Sequence, residues 1–455
     1  MKHRESSMDL LHGPLVGKLI RFALPIAASS MLQQLFNAAD TAVVGRFADA
    51  NALAAVGTNG EIVALLVSLS LGLAVGANVL LARLIGGDQQ EAIPEAVHGA
   101  LGIALLLGGL GAIVGQWLAR PLLTLIHTPE GILEQAVLYL RIYFAGYPAL
   151  MLYDFGAGIL RARGDSRRPF VILTASGVLN VLLNLVFVIA FGMGVAGVAI
   201  ATDLSSCFAA LLVLGLLRRE SGTFHVAIRK INCRSRSVLQ LLQIGIPAAL
   251  QGAVFCFANI FVQAAVNRFG EIAAAGSAIA MNFEYFGYYM ITAFGQAATT
   301  FISQNHAAGN RSRCRRILWL CLLGSVVCSA VITVPLTVFR SGAAGLFTQD
   351  PAVVRQAGLR ILLILLFEPI CGFYEVPAGY LRGMGRSNLP ALLTILGTCL
   401  LRITWIETVF RTEGTLQSLF VVFPISWVVT IILMWGAMLW NRGRQRHTAE
   451  RSTHQ

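Results

Sequence analysis

Long apolar stretches alternate with short polar interruptions along the chain, and this pattern predicts membrane-spanning helices. A span needs about 20 mostly apolar residues, and the stretches have that length once they are cut at glycine, proline and arginine clusters. We expect helices throughout because lipid offers no hydrogen-bond partner to an exposed backbone. The predicted spans are the twelve segments 19–44, 53–83, 95–118, 133–160, 169–191, 195–217, 240–267, 273–303, 317–338, 355–381, 389–409 and 416–440.

The composition excludes several classes of protein. Apolar residues make up 56% of the 455 residues and charged residues 12%, whereas a soluble domain carries about 25% charged residues. The mean hydropathy is +0.72. A soluble enzyme, a disordered chain and a disulfide-rich secreted module do not have such a composition. The sequence therefore predicts an all-α integral membrane protein.

The positions of lysine and arginine predict the orientation. The formal net charge is +12, and cytoplasmic loops of membrane proteins are enriched in Lys and Arg. If both termini are cytoplasmic, few of the 34 basic residues face outside. Those few are Arg46, Arg120, Arg268, Arg340, Arg355 and Arg411. We therefore expect a multi-pass protein of the inner (plasma) membrane, with segments 1–14 and 441–455 cytoplasmic and with no nucleic-acid partner.

The chain contains an internal duplication. A group of residues in the first half recurs 221 positions later, and a second group recurs 222 positions later. The first group is Gly158, Leu160, Arg161, Gly164, Ser166 and Pro169, and the second is Pro25, Asn37, Val44, Arg46 and Phe47. The repeat predicts two six-helix lobes, 15–219 and 237–440, joined by a basic cytoplasmic linker, 220–236. Six spans per lobe is an even number, so both lobes enter the membrane alike, related by a pseudo-twofold axis along its normal. This is a transporter architecture.

Short motifs in both halves carry a family resemblance. They are the segments 25–40, 71–76, 158–161, 180–184, 194–202, 303–309 and 379–383. In order and spacing they resemble the MATE (multidrug and toxic compound extrusion) family of the prokaryotic type, over nearly the whole chain. The resemblance implies a V-shaped pair of bundles with a central cleft. It also implies antiport of organic cations against H⁺ or Na⁺ by alternating access, no other cofactor, and a monomeric transporter rather than an enzyme.

Four polar residues are candidates for the cation-coupling site. A carboxylate at the centre of a bilayer costs about 2.5–3.5 kcal/mol on insertion scales, so Asp40 is a functional candidate. Counting along the predicted helices places Asp40, Asn184 and Thr202 at similar depths, with Asn180 one turn deeper. The family resemblance assigns the same four residues to the cation site, which would also be the metal site if the ion is Na⁺. Asp203 is a further candidate, although it points about 100° away from Thr202.

The identity of the coupling ion is left open by these residues, with a preference for H⁺. Some family members carry a second carboxylate where this chain has Asn184. The second half lacks the set, because the positions equivalent to Asp40 and Thr202 are Val262 and Pro424. Arg402 lies within one residue of the equivalent of Asn180. We therefore expect a coupling site in one lobe only.

Polar and aromatic stripes on helices 1, 7 and 8 are candidates for substrate binding. They are too polar to face lipid, and aromatic rings with a carboxylate suit an organic cation. The alternative is helix packing. The candidates are Gln33, Asn37, Asn259, Gln263, Glu284, Tyr285, Tyr288, Tyr289 and Gln296. Glu61, Asp154, Glu368 and Glu375 are further acids in predicted spans, and their roles are left open. Asp154, Glu368 and Glu375 are either functional or buried partners of an arginine or tyrosine.

Other function classes fit the sequence less well. It has no HExxH, Walker A or GxSxG motif, which argues against a membrane enzyme. A flippase for lipid-linked precursors, from a related fold, would need a cationic cavity. The buried charges are mostly acidic, but Arg141, Arg360 and Arg402 keep that alternative open. A receptor or scaffold is a third possibility.

Overall fold

The computed structural model describes residues 8–48 and 50–453, with side chains for all of these except residue 50 and residues 441–453. Parts of the predicted cytoplasmic segments 1–14 and 441–455 therefore lie outside the described residues. The secondary structure of the described residues is entirely helical. The α-helices are α1 Leu15–Phe47, α2 Ala50–Gly86, α3 Ile93–Leu125, α4 Glu130–Ala162, α5 Arg167–Asn184, α6 Gly194–Arg219, α7 Arg236–Asn267, α8 Glu271–Ala307, α9 Arg311–Val338, α10 Arg340–Gly345, α11 Pro351–Arg360, α12 Gly372–Gly383, α13 Asn388–Thr394, α14 Leu401–Trp405, α15 Arg411–Glu413 and α16 Leu416–Thr453.

Several helices continue as π-helical or 3₁₀ segments, so they form longer rods. The π-helical segments are Leu185–Ala190, Ile361–Leu365, Ile395–Leu400 and Ile406–Phe410. A 3₁₀ turn, Glu368–Cys371, connects to α12, and it contains Pro369, whose ring cannot continue an α-helix. The predicted span 355–381 is therefore one rod with an irregular middle.

Eleven of the described helical segments are long and apolar enough to cross a membrane. The predicted span 273–303 corresponds to α8, which has 37 residues. This helix is long enough to cross but less apolar than the others, because it carries Asn282, Glu284 and several tyrosines. The chain is a multi-pass all-α membrane protein, as its composition predicts.

The chain divides into two compact units. Unit 1 comprises the residues up to Ala253 together with Ser303–Arg311, and unit 2 comprises Val254–Ile302 and the residues from Ser312 onward. The predicted lobes, 15–219 and 237–440, follow the sequence repeat instead and remain a prediction. The start of α7 belongs to unit 1 because it packs closely on α2. A Cβ added at Gly72 would lie 2.3 Å from the Cα of Ala249.

Helix α4 is the central helix of unit 1, where it packs against α2, α3 and α6. Glycines permit this close packing: a Cβ at Gly108 of α3 would lie 2.6 Å from the Cα of Pro148. In unit 2, α16 packs against α12, α13, α14 and the π-helical segments. The π-helical segments that begin at Leu185 and Ile406 are 221 residues apart, which is the spacing of the sequence repeat.

Candidate functional site

Asp40 and Asn184 form a direct contact in unit 1. Asp40 lies near the end of α1, and Asn184 is the last residue of α5 before the chain becomes π-helical. The Asn184 Nδ2 donates a hydrogen bond of 2.5 Å to the Asp40 Oδ1. Asn184 is completely buried. π-Helical turns are often found at functional sites, because the extra residue displaces a side chain from the regular helix face.

The hydrogen bonds continue from Asn184 to α6. The same Nδ2 lies 3.3 Å from the Asn180 Oδ1, and the Asn180 Nδ2 lies 3.4 Å from the Thr202 Oγ1. The Thr202 hydroxyl donates to the Val198 carbonyl at 3.0 Å. The structure thus brings the four predicted residues together from three helices. That they couple transport to an ion stays a prediction.

One acceptor in this chain of bonds is unused. The Asn184 Oδ1 is buried and has no hydrogen-bond partner among the described residues. A buried acceptor without a partner is unfavourable, so it suits a proton donor or a cation. Carboxylate, amide and hydroxyl oxygens are also hard ligands. The residues therefore fit either a proton on Asp40 or a Na⁺ ion, and Asp40 supplies the only carboxylate of the four.

Asp203 faces a different neighbour. Its carboxylate lies against Gly146 of α4, where an added Cβ would be 2.1 Å from the Asp203 Oδ1. Tyr139, also on α4, is buried. Its ring stacks on that of Tyr143, with 6.4 Å between the centroids. Sequence reasoning missed these α4 residues, although tyrosines at positions 139, 143 and 147 mark one helix face.

Two of the unassigned acids have structural partners. Asp154 of α4 accepts a 2.6 Å hydrogen bond from the Ser70 hydroxyl of α2 and so joins two helices of unit 1. Glu375, its equivalent in the repeat, pairs with Arg382 at 3.2 Å in unit 2. Glu375 is thus paired with an arginine, one of the alternatives that the sequence left open, whereas the partner of Asp154 is a serine.

The candidate substrate acid Glu284 is already paired with a cation. Its two oxygens accept hydrogen bonds from the Nε and Nη2 of Arg360, at 2.7 and 2.9 Å. Arg360 also donates to the Ser277 hydroxyl. The side chains of Arg360 and Glu284 are only 4% and 13% exposed. Glu284 therefore offers little uncompensated charge to an organic cation, and its role in substrate binding stays a prediction.

The aromatic candidates of α8 form two stacks in unit 2. Tyr285 stacks on Tyr289 with 5.9 Å between centroids, and Tyr288 stacks on Phe255 of α7 with 6.2 Å. All three tyrosines are partly exposed, as is Gln296. These rings present flat apolar surfaces of the kind that bind aromatic compounds.

The amide candidates are divided between the units. On α7 in unit 2, the Gln263 side chain donates to Asn267 at 2.9 Å, and the Asn259 Oδ1 accepts from Arg402 at 3.3 Å. Gln33 and Asn37 are on α1 in unit 1, where Gln33 is partly buried and Asn37 is exposed. Their assembly with the α8 rings into one substrate site stays a prediction.

Comparison with known proteins identifies the family. The profile of the MatE family matches residues 25–186 and 247–405, which is more than half of the chain and includes both halves of the repeat. The chain belongs to the MATE family. The resemblance seen in the sequence is thereby confirmed, and MATE proteins are membrane transporters.

Individual MATE relatives align over most of their length. The chain is 30% identical to the probable multidrug resistance protein YpnP of Bacillus subtilis over 398 residues, covering 87% of this chain and 88% of the relative. It is 26% identical to the probable multidrug resistance protein NorM of Thermotoga maritima, covering 83% and 82%. It is 28% identical to a protein named FAD transporter from Shewanella oneidensis, covering 78% and 79%.

Solved structures share the fold. A MATE transporter in complex with MaL6 superposes with a TM-score of 0.88 at 23% identity, covering 99% of this chain and all of that one. A transporter of the MOP superfamily from Pyrococcus furiosus, described as having a binding pocket of reverse polarity, also gives 0.88 at 23% identity, covering 97% and 98%. The predicted fold class is therefore confirmed.

Proposed function

We propose that this protein is a secondary transporter that exports drug-like organic cations from the cytoplasm in antiport with protons. MATE membership and relatives named for multidrug resistance or export support the export of drugs. The observation that carries the proton coupling is the hydrogen bond from Asn184 to Asp40. It joins an ionisable group inside a membrane-spanning helix to a set of groups that can both donate and accept.

The hydrogen bonds that link Asp40, Asn184, Asn180 and Thr202 can form whether Asp40 is ionised or protonated. The ionised carboxylate accepts the N–H of Asn184, as in the structure. A protonated carboxyl is a donor, and rotation of the Asn184 amide presents its unused Oδ1 to that proton. Asn180 then rotates so that its Nδ2 faces the Asn184 Oδ1 and its own Oδ1 accepts the Thr202 hydroxyl. Thr202 gives up its bond to Val198, and the direction of the hydrogen bonds reverses.

This reversal provides a means of coupling. An ionised Asp40 favours a cationic drug while the site is open to the cytoplasm. A proton that enters from outside neutralises Asp40, removes the attraction and reverses the hydrogen bonds that join α1, α5 and α6. The drug is released outside, and the proton leaves to the cytoplasm after the transporter has alternated. Each conformation, open to the cytoplasm or open to the outside, is favoured only to the extent that it binds the drug or the proton more tightly than the other conformation does.

Sodium is the alternative coupling ion. The four side chains supply oxygen ligands, but Asp40 is the only carboxylate among them. One proton is enough to neutralise a single carboxylate whose partners are neutral. A second carboxylate, in contrast, strengthens the binding of Na⁺. This reasoning favours H⁺ over Na⁺.

The Lys and Arg distribution favours an inner-membrane location with both termini cytoplasmic. The inside-facing loops would then include 161–168, 218–236 and 311–316. We propose that a single chain is the working unit, because the four coupling side chains all come from one unit of one chain.

Ethidium transport in inverted membrane vesicles tests the proposed function. A pH gradient and a Na⁺ gradient are imposed separately, and vesicles without the protein are the control. We expect the pH gradient alone to drive ethidium uptake into the vesicles and the Na⁺ gradient alone to drive none. Strict dependence on Na⁺ would overturn proton coupling, and absence of ethidium movement under both gradients would contradict its export.

A further inference from the structure

One buried arginine of unit 2 has no acidic partner among the residues that the structure describes. Arg402 is 1% exposed and is the largest fully buried side chain in the described residues. It lies on α14, a five-residue helix between the π-helical segments Ile395–Leu400 and Ile406–Phe410. A buried charge is costly unless something compensates it, so its surroundings indicate what it binds.

The surroundings of Arg402 are neutral and aromatic. Its Nε donates to the Ser426 hydroxyl at 3.1 Å and its Nη1 to the Asn259 Oδ1 at 3.3 Å. The guanidinium carbon lies 4.1 Å from the ring centroid of Phe423 and 5.7 Å from that of Phe255. These contacts hold the guanidinium plane in place, but none of them supplies a negative charge.

The nearby acids of unit 2 do not compensate Arg402. Glu284 pairs with Arg360, and Glu375 pairs with Arg382. Glu368 is buried and forms no ion pair among the described residues. Among the described residues, no acid therefore pairs with Arg402, and an anionic group on a ligand would supply the charge that these acids do not.

The guanidinium has donors available for such a partner. An arginine carries five N–H groups in a planar fork, and the described acceptors, Ser426 and Asn259, engage only two nitrogens. A fork of this kind matches the two oxygens of a carboxylate or phosphate. Phe255, Asn259 and Tyr288 around it are partly exposed, so a ligand can approach from their side.

We propose that Arg402 binds an anionic oxygen group, a carboxylate or phosphate, on aromatic compounds that the protein transports. The rings of Phe255 and Tyr288 would contact the aromatic part of the same compound. This inference rests on the proposed transport function and assigns to Arg402 the contact with the anionic group of a transported compound. The two halves of the repeat then bind groups of opposite charge: Asp40 in unit 1 binds a cation, and Arg402 in unit 2 binds an anion.

The test compares two dyes that differ in one carboxylate. Rhodamine 110 has a free carboxylate, and rhodamine 123 is its methyl ester. Binding of each dye to the purified full chain is measured by fluorescence anisotropy in nanodiscs. The variants are Arg402→Gln, Arg402→Lys and, as a matched control, Arg411→Gln, whose side chain is 77% exposed. We expect Arg402→Gln to weaken rhodamine 110 binding by about tenfold or more, which is the scale of a charge-assisted pair, and to leave rhodamine 123 binding unchanged.

The Arg402→Lys variant tests the fork, because lysine keeps the charge but not the planar pair of donors. We expect it to restore part of the rhodamine 110 affinity. An equal loss for both dyes in Arg402→Gln would mean that Arg402 only holds the structure together, and it would overturn the proposal. An unchanged affinity for rhodamine 110, or no binding of it to the wild type, would also overturn it.

Nanodiscs of phosphatidylcholine with and without phosphatidylglycerol separate two sources of the anion. Competition by phosphatidylglycerol that disappears in Arg402→Gln would assign the site to a lipid phosphate and overturn the substrate assignment. Failure of proton-driven ethidium transport, with the dye difference intact, would contradict the proposed function alone.

Discussion

The Asn184 side chain donates a 2.5 Å hydrogen bond to Asp40, which is 144 residues away in the sequence. The bond ties the C-terminal end of α5 to the C-terminal part of α1. It links the only carboxylate of the four-residue network to a buried amide whose oxygen has no partner among the described residues. The five predictions below concern this bond, the close contact of Asp203 with Gly146, and the ion pairs of Glu284 and Glu220.

Asp40→Asn should reduce ethidium efflux to the background of cells that lack the protein. An amide keeps the shape of the carboxyl but cannot ionise, so it can neither attract a cation nor carry a proton. Efflux from intact cells and the amount of protein in the membrane fraction are measured together. Glu134→Gln is the matched control, because Glu134 is an exposed acid that pairs with the exposed Arg120. Wild-type efflux by Asp40→Asn would end the coupling assignment.

Asn184→Asp should make transport depend on Na⁺. The substitution removes the N–H group that donates to Asp40 and Asn180, and it places a second carboxylate beside that of Asp40. Two acids with oxygen partners suit a hard cation better than one. The measurement is ethidium uptake into inverted vesicles at fixed pH, with and without Na⁺. We expect Na⁺ to stimulate the variant and not the wild type, and equal responses of the two would contradict the prediction.

Gly146→Ala should destabilise the protein and impair transport, because its new Cβ would lie 2.1 Å from the Asp203 carboxylate. Overpacking of this kind costs about 1–3 kcal/mol. Melting temperature and ethidium efflux are the measurements. Gly131→Ala, on the same helix with nothing within 4 Å of its added Cβ, is the control. The melting temperature should recover when Gly146→Ala is combined with Asp203→Ala, and no recovery would place the clash elsewhere.

Glu284→Gln should lower the melting temperature sharply, because it leaves Arg360 buried without its carboxylate partner. Removal of one partner of a buried pair costs about 3–5 kcal/mol. The double variant Glu284→Gln with Arg360→Gln should lose less than the sum of the two single variants. Melting of all four proteins in detergent measures the coupling. Additive losses would show that the pair contributes no mutual stabilisation.

Glu220 should stabilise the protein at neutral pH but not in acid. Its carboxylate pairs with Arg163 at 2.5 Å and with Arg168. Burial alone would raise the pKa of Glu220, but the two arginines outweigh burial and hold this pKa below its ordinary value of 4.5. A lowered folded-state pKa stabilises the fold above pH 4.5, and this contribution is lost as the pH falls through the lowered pKa.

The corresponding measurement is the melting temperature of wild type and Glu220→Gln from pH 3 to pH 7. We expect the variant to melt lower at pH 7 and the two curves to converge in acid. Ser221→Ala is the matched control, because Ser221 is the exposed neighbour of Glu220 and carries no charge at any pH in this range. A difference between wild type and Glu220→Gln that is constant across this pH range would contradict the role of the ionised carboxylate.

Much of the architecture follows from the sequence because its determinants are local. The length of an apolar stretch sets a span, and the bilayer forces it to be helical. The repeat at 221 residues is visible in the motif around Arg161 and Arg382 and reappears in the two π-helical segments that begin at Leu185 and Ile406. Depth along a helix is also local, so the levels of Asp40, Asn184 and Thr202 could be counted from the sequence.

The partners of the charged groups were decided only by the tertiary structure. Glu284 and Arg360 are 76 residues apart, and nothing in the sequence near either one indicates their ion pair. The contact of Asp203 with Gly146 depends on how α4 and α6 rotate and approach, which side-chain packing sets. Helix packing also places Arg402 among aromatic rings, with Ser426 and Asn259 as its hydrogen-bond partners. Sequence determines which charges enter the membrane, but the packing of helices far apart in the chain determines which of them are neutralised and which remain available to a ligand.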